Sequence, residues 1–95
     1  FLKRVPKSEY DTIMQCKKCG KSIPSNIAEG FAKRSSTAEF KRFLKIAIGS
    51  SDELFSHLRT IIIAAPYLAE DARNLSDEYK ILSKRLNKLH SSWIS

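Results

Sequence analysis

From Phe40 onward the chain repeats at Phe40, Leu44, Ala47, Ser51, Leu54, Leu58, Ile61 and Ala65, in steps of 4, 3, 4, 3, 4, 3 and 4, with Ser51 the one polar residue in register. That spacing keeps one stripe of a helix apolar. Phe43, Ile48, Phe55 and Ile62 widen the stripe into a face, which suits a helix of a bundle better than a two-stranded coil. Ser36 followed by Glu39 reads as a capping box, and Pro66 stops the pattern, so a helix is expected over 37–65. At 1.5 Å per residue it is about 43 Å long, too long for a compact α/β unit.

A second stripe runs through Leu75, Tyr79, Leu82, Leu86, Leu89 and Trp93. Ser76 is its expected N-cap, with Asp77 and Glu78 in the first turn and Lys84, Arg85 and Lys88 toward the far end, matching the helix dipole at both termini. This places a helix over 76–93, joined to the previous one by a short connection with a helical turn at Leu68 to Ala72, so the two are antiparallel neighbours. Upstream, Ile13, Cys16, Gly20, Ile23 and Ile27 also repeat at helical spacing, predicting a helix over 8–31. Pro24 lies inside it and cannot donate to the carbonyl of Gly20, so a kink is expected there, or a restart capped by Ser22. No segment alternates with a period of two. The fold class is all-α, one domain over 1–95, with three long antiparallel helices.

Each of these helices has an apolar face wide enough for two neighbours, which three slender helices leave partly wet. Since the first residue is Phe1 rather than Met, a preceding helix with Phe1 to Arg4 as its last turn is one expected cover, and partner subunits are another.

The 95 residues hold 17 Lys and Arg against 10 Asp and Glu, a net charge of +7, with three Gly and three Pro, which excludes low-complexity and fibrous chains. The longest purely apolar run is Ile61 to Ala65, far short of a membrane span of about 18 residues. Cys16 and Cys19 form an isolated C-x-x-C inside a helical pattern with no strand before it, so reduced, packing cysteines are expected rather than a redox or zinc pair. His57 reads as a boundary residue and His90 as a helix-end cation; no metal, cofactor or catalytic constellation is expected. Tyr67, Tyr79 and Trp93 read as core or interface aromatics.

The stretch Ser22-Ile23-Pro24-Ser25-Asn26-Ile27-Ala28-Glu29-Gly30, with Glu39-Phe40 and Phe43-Leu44-Lys45-Ile46-Ala47-Ile48-Gly49-Ser50 after it, resembles the four helix bundle protein family, also called the 23S rRNA intervening sequence protein family. The resemblance covers about residues 5 to 93. It implies a small, cytoplasmic, non-enzymatic, up-and-down four-helix bundle whose first helix precedes Val5-Pro6-Lys7 and is missing from this chain. It also implies a homopentameric ring, as in the related accessory variability determinant of diversity-generating retroelements, which binds nucleic acid and a reverse transcriptase. Cys16, Cys19 and Gly20 depart from the usual pattern, where larger apolar residues or Ala are commoner.

In physical terms, Ser22 with Asn26 and Ser25 with Glu29 stack at i, i+4 beside Pro24, and their side chains are expected to serve the carbonyl that Pro24 frees. A polar network fixing the helix against a neighbour or subunit, a nucleic acid or ligand contact through Asn26 and Glu29, and a catalytic Glu29 are the alternatives. Gly49-Ser50-Ser51 in mid-helix points to close approach of another backbone.

The charge is local. Residues 1–34 hold eight basic and three acidic residues, whereas 35–66 and 67–95 are each one positive charge from neutral. Lys17, Lys18 and Lys21 share a turn; Lys33 and Arg34 lie in the connection; Lys41, Arg42 and Lys45 open the next helix. Joined into one basic surface, these eight suit phosphate, giving a homo-oligomer that binds RNA or DNA by the backbone, structured RNA above all. No aromatic stands among them in a loop, so base stacking is not expected. The other readings are a scaffold or adaptor for another protein, with charge incidental, and a face that only keeps the chain soluble.

Overall fold

The computed structural model describes residues 1–93; Ile94 and Ser95, part of the expected domain, lie outside the described residues. Two 3₁₀ turns, Leu2–Arg4 and Lys7–Glu9, lead into α1 (Tyr10–Ala32), followed by α2 (Thr37–Ala64), a 3₁₀ turn at Pro66–Leu68, and α3 (Ala69–Ser92). The described residues hold no strand. The chain is all-α, with three antiparallel helices.

Helix α1 runs through Pro24 without interruption, and the proline sits on its exposed side. The expected rescue of the Gly20 carbonyl does not occur. Asn26 Nδ2 donates instead to the Ser22 carbonyl at 2.8 Å and Ser25 Oγ donates to the same oxygen at 3.1 Å. At the start of α2, Ser36 Oγ accepts the Glu39 N–H at 3.3 Å. The other half of the capping box is absent, because the Glu39 carboxylate turns forward to Arg42 Nε at 2.8 Å.

Helix α3 begins seven residues before the expected Ser76. Ser76 is no cap: it is fully buried and donates to the Arg73 carbonyl at 3.0 Å. Nothing from Ala69 to Leu75 breaks a helix, and Glu70 and Asp71 supply the acidic first turn that Asp77 and Glu78 were expected to provide. Arg4 pairs with Asp71 at 2.5 Å and Tyr67 Oη donates to the Arg4 carbonyl at 3.2 Å, which ties the N-terminal turn to the base of α3.

Helix α2 is the central rod, with α1 and α3 each packed chiefly on it. The core divides along its length. Near the α1–α2 connection, Phe40, Leu44, Ala47 and Ile48 pack with Leu86, and the Trp93 ring lies 4.2 Å from that of Phe40. Toward the other end, Cys16, Cys19 and Ile23 of α1 meet Leu54, Leu58 and Ile61 of α2 and Ala72 of α3. Tyr79 joins this core at its edge, but Tyr67 is 72% exposed. Between α1 and α3 the molecule stays open: a cleft of about 540 Å³ is lined by Phe1, Leu2, Ile13, Leu54, Leu58 and Tyr79.

Candidate nucleic-acid interface

The family-type motif splits between two faces of α1. Ser22, Asn26 and Gly30, four residues apart, face α2: Ser50 Oγ donates to Ser22 Oγ at 2.8 Å, and Asn26 Nδ2 reaches the same hydroxyl at 3.0 Å. A Cβ on Gly30 would lie 3.1 Å from Phe43 Cβ and 3.3 Å from the Phe40 carbonyl oxygen, so the missing side chain lets the two helices approach closely here. The close approach expected at Gly49 is not there, since a Cβ at that position meets nothing within 4 Å. Its neighbours make the contacts instead, Ser50 to α1 and Ser51 to α3. Pro24, Ser25 and Glu29 are exposed, and Ser25 bonds to the Ser22 carbonyl rather than to Glu29.

Lys33, Arg34, Lys41, Arg42 and Lys45 gather at the end of the molecule where α1 turns into α2. This follows from the short connection: Lys33 and Arg34 lie just past the last turn of α1, while Lys41 and Arg42 are in the first turns of α2. Four of the five are exposed and Lys41 is half-buried. Lys17, Lys18 and Lys21 are also exposed, further back along α1. Lys21 is twelve residues before Lys33 on a continuous helix, which separates these two residues by about 18 Å along the axis. Lys45, five residues before Ser50 on α2, lies at a level between them, since Ser50 meets Ser22 of α1.

No aromatic stands in the connecting loop itself, but two rings on the flanking helices, Phe31 of α1 and Phe43 of α2, lie against these cations. The Arg34 guanidinium lies 4.8 Å from the centre of the Phe31 ring and its Nη1 donates to the Phe31 carbonyl at 2.8 Å. Arg42 sits 4.3 Å over Phe43, with Lys33 Nζ 5.9 Å from the same ring. Phe31 is 54% exposed, so the patch combines fixed guanidinium groups with an accessible ring face. The signal was the i, i+3 spacing of Phe31 with Arg34; Phe43 belongs to the rim of the core stripe, where Arg42 beside it in sequence and Lys33 from the connection both meet its ring.

A second group lies across the middle of the α1–α2 seam. Cys19 Sγ is 3.6 Å from Glu53 Oε2, and one ligand atom from each of Cys19, Glu53 and His57 falls within 4.8 Å of the other two. Burial, with the Glu53 carboxylate beside it, pushes the Cys19 thiol up, and burial pushes Cys16 up to about 11. Both cysteines are buried and free.

Three antiparallel helices on one central rod, pinned by a Ser-Asn-Gly seam beside a mid-helix proline, make this a helical-bundle protein. The chain belongs to the 23S rRNA-intervening sequence protein family, whose model matches residues 1–88. No curated protein and no solved structure matches it. No helix among the described residues is long and apolar enough to cross a membrane.

Proposed function

We propose that this chain is a non-enzymatic, homo-oligomeric, cytoplasmic bundle protein that binds the phosphate backbone of nucleic acid, structured RNA in particular. The reading rests on one observation, the placing of Lys33, Arg34 and Arg42 against Phe31 and Phe43 at the α1–α2 connection, with Lys41 and Lys45 on the adjoining turns of α2. Among the described residues Arg42 alone of this group is in a salt bridge, with Glu39, and that bridge is half-exposed and weak against a polyanion. Stacking on the rings holds the two guanidinium groups in place and leaves each with further N–H donors for phosphate. A ring of five, the assembly the family resemblance implies, sets about five copies of a +7 chain side by side and steers polyanions toward them.

The test is titration of a labelled structured RNA and a DNA duplex across salt concentration. Micromolar or tighter binding is expected at low salt, with log K falling by roughly 4 to 5 per decade of salt for five phosphate contacts. Replacing Lys33, Arg34 and Lys41 together by Ala reduces that slope by about 3. The same replacements at Lys17, Lys18 and Lys21 have the smaller effect, because those lysines stand about 18 Å or more along α1 from Lys33 and away from the two rings. Absence of binding to both probes at low salt overturns the proposal and favours the scaffold reading.

A further inference from the structure

We infer that Cys19, Glu53 and His57 form a zinc site bridging α1 and α2, with a fourth position open to solvent. The three side chains offer thiolate, carboxylate and imidazole, the donor set that zinc takes in three-ligand sites. Glu53 and His57 lie at i, i+4 on α2 and present their ligand atoms side by side, while Cys19 faces them from α1. With Zn–S near 2.3 Å and Zn–O near 2.0 Å, a tetrahedral site has an S···O edge of about 3.5 Å. The Cys19 Sγ to Glu53 Oε2 distance is 3.6 Å, so this edge is already set without moving either helix. The remaining separations, all within 4.8 Å, close by rotation of the two α2 side chains, both of which are at least partly accessible.

In the metal-free chain the thiol proton occupies this edge, donated by Cys19 to the Glu53 carboxylate. Zinc entering from the solvent side replaces that proton, which leaves to the buffer, and makes one Zn–S, one Zn–O and one Zn–N bond with no change of oxidation state. Water fills the fourth position. The buried sulfur anchors the ion and the exposed carboxylate admits it. Bound there, zinc cross-links the middle of the seam some three residues of α1 from the Ser22–Ser50 contact.

The probes are Zn²⁺ and Co²⁺ added to the reduced, metal-free chain, with Co²⁺ reporting ligand type and geometry by absorption. Expected are one equivalent bound, a sulfur-to-cobalt charge-transfer band, the intense visible bands of a tetrahedral ion, and a rise in Tm with Zn²⁺. Cys19→Ser and His57→Ala each weaken binding by about 100-fold or more, beyond the 10- to 100-fold typical of outer-shell changes. Cys16→Ser retains the band and the affinity. Glu53→Gln changes an exposed side chain, keeps the fold, and weakens binding at least about tenfold, which holds the test open if Cys19→Ser fails to fold. Absence of the charge-transfer band, or affinity unchanged in Glu53→Gln and His57→Ala, overturns the site; so does a Cys16→Ser variant that loses the metal while Cys19→Ser keeps it.

Discussion

At the scale of single residues, the three glycines separate by what surrounds them. A methyl group at Gly30 meets the Cβ of Phe43 and the backbone oxygen of Phe40, neither of which is the free end of a flexible side chain, so one helix must shift. At Gly20 and Gly49 a methyl meets nothing within 4 Å. Gly30→Ala is expected to lower stability by about 1–3 kcal/mol, and Gly20→Ala and Gly49→Ala to raise it by roughly 0.5–1 kcal/mol through helix propensity. Urea midpoints of the three variants check this, and equal shifts of one sign in all three would contradict it. The thiol of Cys16 makes a separate prediction. With its pKa pushed from 9.0 up to about 11, it carries little thiolate at pH 8, so alkylation by iodoacetamide is slow there and accelerates only as pH climbs toward that value. An unfolded Cys16 ionises near 9.0 while the folded one still holds its proton, so this group costs stability as pH rises from 9.0 to about 11. Rapid alkylation of native protein at pH 8, mapped to Cys16 by mass spectrometry, would refute the buried placement.

At the scale of elements, the helices are joined by serine hydroxyls as much as by apolar packing. Ser83 Oγ donates to Ser51 Oγ at 2.7 Å, and Ser51 Oγ donates in turn to the Tyr79 carbonyl at 3.0 Å, so one hydroxyl chain links α2 to α3 in the core. Ser51→Ala leaves the buried Ser83 hydroxyl without a partner and is expected to cost about 1–3 kcal/mol. Adding Ser83→Ala removes the orphan and recovers part of the loss, so a double-mutant cycle should give coupling of at least about 0.5 kcal/mol; strict additivity would show that the hydroxyls act independently. This pair also shows how far the sequence could be read. Ser51 stood out as the one polar residue in an apolar register, and the spacing gave α2 and its Ser36 cap. The start of α3 was misplaced because Ser76 looks like a cap by residue type, whereas its burial depends on how α3 lies against α2. Contacts between elements, such as Cys19 with Glu53 and His57, or Lys33 folding onto Phe43, depend on the relative rotation of two helices. Periodicity within each helix does not carry that information.

For the whole molecule, the surface area bears on the expectation of self-assembly. The chain exposes 6296 Å², where a compact monomer of 10.8 kDa exposes about 5,500 Å². Its radius of gyration is 14.8 Å against about 12.4 Å for a globular chain of this length. The excess of roughly 750 Å² is close to the 800 Å² or so that one partner buries in a standard interface. It includes Ile63, 82% exposed, Phe31 and Ile81, together with the open cleft between α1 and α3. Burial of such surface drives association, while the charge of +7 on every copy opposes it. Salt screens the repulsion and leaves the apolar term intact, so self-association strengthens as salt rises. Binding to nucleic acid has the opposite dependence, because counterion release weakens with salt. Sedimentation at about 0.05 M and about 0.5 M salt, with and without RNA, therefore separates the two, the Debye length falling about threefold between them. The expected result without RNA is a species several times 10.8 kDa that persists or grows at high salt, whereas the RNA complex dissolves there. A chain that sediments as a monomer at both salts and at high protein concentration would remove self-assembly from the account and leave the excess apolar surface to a different partner.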